Sequence, residues 1–191
     1  MKKIIRFIEC LMLFICLVLG GCSEEEDAIG TLSKHDNDYP GYWIIGINGT
    51  NFNDGQVDPN LASRVYVTPQ RVIFRKMPCS FFIEQVVPAV SRNEALYNVL
   101  ASDYAVMMMQ VGQSEENIYL SLKPKDYSFK TTYDGEQHEI RLVMADDGSA
   151  VGALDYSSMS FVLSVERILL DEVEVVSYAE GLLKLTFVYS L

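Results

Sequence analysis

The sequence predicts a mainly β protein, an antiparallel meander that closes into a barrel or a strongly curved sheet, with a short helical insertion at about residues 79–101. Three observations carry this expectation. Apolar residues recur with a period of two through most of the chain beyond residue 40, as strands with one buried face require. Asp-Gly and Glu-Gly pairs separate the alternating runs, and glycine there supplies the positive φ of tight hairpin turns. Residues 79–101 depart from this pattern toward helical spacing.

Residues 1–21 stand apart from the fold. Lys2, Lys3 and Arg6 precede an unbroken apolar run over residues 10–19, too short for a bilayer span but of signal-peptide length. Glu9 is an acidic intrusion beside it. The run ends in Leu19-Gly20-Gly21-Cys22, which resembles a bacterial lipobox. That resemblance implies cleavage before Cys22, lipidation of its thiol and a firm outer-membrane anchor, since several acyl chains hold where one does not. Ser23-Glu24-Glu25-Glu26-Asp27 is similar to the surface-export signal of Bacteroidetes lipoproteins; a solvated spacer is the other reading. Loss of residues 1–21 removes three basic residues and one acidic residue, so the net charge moves from −11 to −13. Residues 22–39, acidic and almost without apolar side chains, read as the lipidated cysteine and a flexible tether. Residues 40–191 read as a single domain of about 150 residues, long enough for a substantial core.

Within that domain four runs alternate cleanly. They are Ile118, Leu120 and Leu122; His138, Ile140, Leu142 and Met144; Met159, Phe161, Leu163 and Val165; and Leu183, Leu185, Phe187 and Tyr189. Runs at 43–47, 64–68, 71–75 and 104–111 are apolar on both faces, as if covered on both sides. Thr68-Pro69-Gln70 joins two of these through the fixed φ of proline. Asp134-Gly135, Asp147-Gly148 and Glu180-Gly181 mark further turns. In the insertion, Phe82, Val86 and Val87 share a helical face, Pro88 ends the segment, and Asn93 caps a second helix carrying Leu96, Val99 and Leu100. Residues 166–178 fit two states. Val165, Ile168, Leu169 and Val173 have helical spacing, Glu172-Val173-Glu174-Val175 alternates, and a strand is expected in the second half.

Gly41-Tyr42-Trp43 is similar to the G-x-W that opens the first strand of the lipocalin and wider calycin barrels. The resemblance implies a lipocalin-like barrel in which Trp43 plugs the closed end and Arg167, from a late strand, packs over it. The layout as a whole also resembles an uncharacterised family of Bacteroidetes outer-membrane lipoprotein domains. The shared features are a lipobox, an acidic tether, a helical insertion after the third strand and then an uninterrupted meander. No function comes with that family, and simple lipocalins lack the insertion.

Composition limits the chemistry. A chain of 191 residues that is 49% hydrophobic and 21% charged, with 4 cysteines, is too apolar for disorder and too cysteine-poor for a disulfide scaffold. A pI near 4.6 opposes nucleic-acid binding, which rests on lysines and arginines meeting phosphates. Cys10 and Cys16 leave with the signal and Cys22 carries lipid, so Cys79, beside Pro78 and Phe81, reads as a small buried hydrophobe. His35 and His138 have no partner at zinc-ligand spacing, and no G-x-S-x-G accompanies them. Asn51, Asn53, Asp54 and Asp58 form an amide-rich loop whose glycine stands at the fifth position, not the sixth of a calcium loop. A solvated hairpin loop is preferred there to a weak calcium site. Asn48-Gly49-Thr50 matches a glycosylation sequon, which carries no weight in a bacterial lipoprotein. Met107-Met108-Met109 puts methionine on both faces of a strand and reads as core filling ahead of a pocket wall. The expectation is a non-enzymatic, cofactor-free protein held to the membrane by its lipid. It binds a small apolar ligand inside the barrel or, with no cavity, docks another outer-membrane component through an exposed apolar patch.

Overall fold

The computed structural model describes residues 38–52, 61–155, 157–178 and 181–190. Residues 1–21, Cys22, His35, the rest of the acidic stretch to residue 37, loop residues 53–58 and Glu180 lie outside the described residues, with the expectations placed on them.

Among the described residues twelve strands and two helices follow one another. They are β1 (Asp38–Ile47), β2 (Thr50–Asn51), β3 (Ala62–Val67), β4 (Arg71–Phe74), α1 (Cys79–Val86), α2 (Arg92–Tyr97), β5 (Tyr104–Gln113), β6 (Ile118–Lys123), β7 (Tyr127–Tyr133), β8 (Glu136–Met144), β9 (Val151–Leu154), β10 (Ser158–Leu170), β11 (Val173–Ser177) and β12 (Leu183–Ser190). Hydrogen-bonded neighbours run β12-β1-β3-β4-β5-β6-β9-β10, and β10 returns to β12, so eight strands close a ring with antiparallel pairings throughout. No helix among the described residues is long and apolar enough to cross a membrane.

The meander is interrupted. β6 pairs with β9, and the β7–β8 hairpin leaves the ring between them. β10 is long enough to serve two sheets. Its first half closes the ring between β9 and β12, while Val165 to Leu170 pairs with β8 and β11 in a second sheet at one end of the barrel. Residues 166–178 are therefore strand in both halves, with the expected strand at Val173–Ser177. The helical spacing of Val165, Ile168 and Leu169 has a local cause: register shifts lie between Val165 and Arg167 and between Ile168 and Leu169. An extra residue at a bulge breaks strict alternation and mimics the i, i+3, i+4 pattern.

β1 begins at Asp38, inside the stretch expected as tether. Asp38 faces Tyr66 in register, and its carboxylate holds the Arg64 guanidinium at 2.8 Å. The turns follow their dipeptides. Asp134 and Gly135 have φ of 53° and 79°, Gly148 has 75°, and Asn48-Gly49, the first two residues of the sequon, make the β1–β2 turn with 50° and 81°.

Inward side chains fill the barrel. The register Trp43↔Phe187↔Phe161 sets three rings at one level across β1, β12 and β10. Phe74 from β4 packs among them, 4.9 Å from Trp43 and 5.9 Å from both Phe161 and Phe187 between ring centres. All four are buried. Tyr39 and Tyr189 meet at 5.3 Å toward the end where the chain enters, and Phe82 and Ile83 of α1 are buried at the other.

The helices sit between the barrel end and the second sheet. Pro88 follows α1, as expected. The residue at the start of α2 is Ser91 and not Asn93, and Ser91 makes no side-chain cap. Its hydroxyl instead meets the Asp134 carboxylate at 2.9 and 3.0 Å, tying the helix to the β7–β8 turn. Val99 and Leu100 lie beyond the helix, where Leu100 bridges to Lys130 of β7. The buried Thr131 hydroxyl donates to the Ala95 carbonyl at 2.6 Å and fixes α2 on β7.

Candidate functional site

Along β5, Tyr104, Val106 and Met108 point inward and are buried, so Ala105, Met107, Met109 and Val111 point outward. The cover expected over this second apolar face is missing among the described residues: Met107, Met109 and Val111 are 54%, 57% and 59% exposed. The methionine run is therefore core at Met108 alone. Tyr119 on β6 and Val151 on β9 continue the strip at 46% and 45% exposure. Registers place these residues in rows, Met109↔Ser121↔Val151↔Val162 and Tyr119↔Ala153↔Ser160. The small side chains of Ala153 and Ser160 leave a depression of about 290 Å³ walled by Val111, Tyr119, Val151 and Val162.

Charge is graded along this strip. Arg71↔Met107↔Lys123 forms a row with a basic residue on each side of the methionine. At the far end of β5 and β6 the turn carries Glu115 and Glu116. All four charged residues are exposed, and no ion pair among the described residues involves them.

A second concavity, a cleft of about 680 Å³, opens beside α1, with Phe52, Phe81, Leu96 and Val99 as apolar walls and Lys76 and Glu84 in its lining. Phe52 and Phe81 pack at 5.7 Å. Cys79 also lines it, but its thiol is buried 3.9 Å from the Tyr127 hydroxyl, and burial pushes it up to about 11. A thiol held protonated is a poor nucleophile. The reading of Cys79 as a buried hydrophobe fits this placement.

His138 and Asp155 each belong to a hydrogen-bonded turn network. His138 Nδ1 lies 2.7 Å from Asp171 Oδ2, and its ring stacks on Tyr133 at 4.0 Å. Asp171 also accepts the Glu139 N–H, and its carboxyl is held below the usual range, chiefly by the His138 bond. The pair pins a β10–β11 turn in which Asp171 and Glu172 both take positive φ. Asp155 at the β9–β10 turn accepts from the Ser158 hydroxyl and from the Ser157 and Ser158 N–H groups, which pull its carboxyl down to about 2. No group of three His, Cys, Asp or Glu residues that could hold a metal forms among the described residues.

Trp43 lies in the lumen, and its indole N–H donates to the Lys76 carbonyl at 2.8 Å, near the helix-bearing end. Arg167 is elsewhere. It lies six residues beyond Phe161 on β10, less than about 20 Å at 3.3 Å per residue because the Val165–Arg167 bulge shortens the span, and Phe161 is the residue level with Trp43. Its side chain is 40% exposed, with the guanidinium between Glu166 and Glu174 on the second sheet, so the two residues that the resemblance puts together are at different levels. The sequence did not reveal the strip, although its signal was present: an apolar run on both faces of one strand means a second cover or an uncovered face.

No curated protein and no solved structure matches the chain. A family model described as a domain of unknown function matches residues 36–170, a span that takes in β1 through β10 and leaves β11 and β12 outside it. The chain belongs to that family, DUF4840.

Proposed function

We propose that the chain is a lipid-anchored lipoprotein of the Bacteroidetes outer membrane, exposed at the cell surface, that docks another component through the outer wall of its barrel without catalysing a reaction. The observation that carries this reading is the inversion of apolar surface. The lumen is occupied by Trp43, Phe74, Phe161 and Phe187, while Met107, Met109, Val111, Tyr119 and Val151 face solvent together. A contiguous apolar patch of several hundred Å² on a soluble domain marks an interaction site more often than chance exposure. The other reading, a carrier of a small apolar molecule, draws its support from the cleft beside α1 and none from the lumen.

Two substitutions in the full-length chain test the proposal. Cys22→Ser is expected to move the protein from the membrane fraction to the soluble fraction. Met109→Asp is expected to leave membrane attachment intact and to lower the mass at which the detergent-extracted protein runs on a native gel. Retention of Cys22→Ser in the membrane fraction, or an unchanged native mass for Met109→Asp, overturns the corresponding half.

A further inference from the structure

The geometry points to a second copy of this chain as the occupant of the wall, in an isologous contact whose two-fold axis runs across the strands. The inference rests on the docking reading and names its partner. An isologous contact needs a patch that complements itself, and the charge gradient supplies one. Basic Arg71 and Lys123 lie level with Met107, the apolar strip occupies the middle, and acidic Glu115 and Glu116 lie beyond Gln113. A two-fold axis across the strands lays each strand on its own reversed copy, so Lys123 of one chain faces the Glu115–Glu116 turn of the other. An axis along the strands would set like charges together, and the gradient selects against it.

Area and charge bound the strength. The exposed parts of the five strip side chains amount to roughly 500 Å² per copy, so the pair comes to about the 1,000 Å² that a weak specific interface needs. The net charge, −13 once residues 1–21 are lost, opposes association. That repulsion is screened beyond about 8 Å at physiological salt, whereas pairs at the margin are in contact. Anchoring two copies in one membrane raises their effective concentration without any new contact.

Val111 stands midway between the charged margins and so nearest the axis, where a residue meets its own copy. The test is oxidative cross-linking in intact cells that express the full-length chain. Val111→Cys is expected to give a disulfide-linked band at twice the monomer mass, and Val173→Cys, equally exposed on β11, is not. Cys79 is buried and does not compete. Adding Lys123→Glu is expected to cut the Val111→Cys dimer about fivefold, the scale of the two symmetry-related surface charge pairs that it removes. Glu116→Lys on top of it is expected to restore the dimer. A Val111→Cys band at another mass, with none at twice the monomer, overturns the second copy as partner and leaves the docking reading standing. No band at all, or equal dimer from Val111→Cys and Val173→Cys, overturns the second copy as partner, and the docking reading then falls only with an unchanged native mass for Met109→Asp. A dimer that Glu116→Lys fails to restore overturns the reversed-strand arrangement.

Discussion

A methyl group at Gly41 would fall far inside van der Waals contact with the Phe187 ring and the Val188 carbonyl oxygen. Gly41 shares the inward face of β1 with Trp43, and Phe187 packs edge-on against that tryptophan at 5.6 Å. The glycine makes room for the ring that the tryptophan leans on. A side chain can rotate away, but a backbone carbonyl inside a paired strand cannot. Gly41→Ala is therefore expected to destabilise the fold by about 2–3 kcal/mol, as overpacking in a rigid core does, measured as a fall in the urea midpoint at unchanged slope. Here the sequence showed the motif and hid its reason, because Phe187 lies at the opposite end of the chain. The same gap separates Asn93 from Ser91 at the start of α2. Local propensity favoured the asparagine, but a contact with Asp134, distant in sequence, fixes where the helix begins.

Among the elements, α2 is the one that depends most on its neighbours. Six residues are too few to hold a helix in water unaided, and its start has no side-chain cap. What holds it is β7: Ala95 is fully buried there, and its carbonyl accepts from the buried Thr131 hydroxyl. Thr131→Val keeps the shape and removes the donor, leaving that carbonyl unsatisfied toward the sheet. The expected cost is about 1–2 kcal/mol, and amide exchange at residues 92–98 is expected to rise more than exchange in the ring strands. Uniform acceleration throughout the protein would mean that α2 is not a separately docked unit. Strands were the legible elements, since a period of two survives wherever one face is buried. They became ambiguous at β10, where two bulges shift the register, and their neighbours were illegible. Nothing in the alternation of β6 or β9 distinguishes pairing with each other from pairing with the hairpin between them.

For the whole molecule, the contents of the barrel decide between a cup and a solid scaffold. Composition permitted either, because an eight-stranded ring holds one small ligand or its own side chains. The answer depends on side-chain volume at one level. Trp43, Phe187 and Phe161 come from three adjacent strands, and Phe74 packs against all three rings. Their coincidence in register becomes visible only once the ring is closed. Phe161 also packs over Gly152, where an added Cβ would lie 2.9 Å from its ring. Phe161→Ala is expected to cost about 3–5 kcal/mol, the transfer of a buried phenyl group plus the cavity it leaves. Because the surrounding walls are apolar, that cavity should remain dry and accept benzene or xenon. Saturating benzene should therefore raise the melting temperature of Phe161→Ala and leave the wild-type protein unchanged. A benzene-induced rise in the wild type would mean that the native lumen already has room for a ligand, and would return the carrier reading to the barrel. A loss below about 1 kcal/mol in the variant would mean that the four rings do not form a close-packed plug.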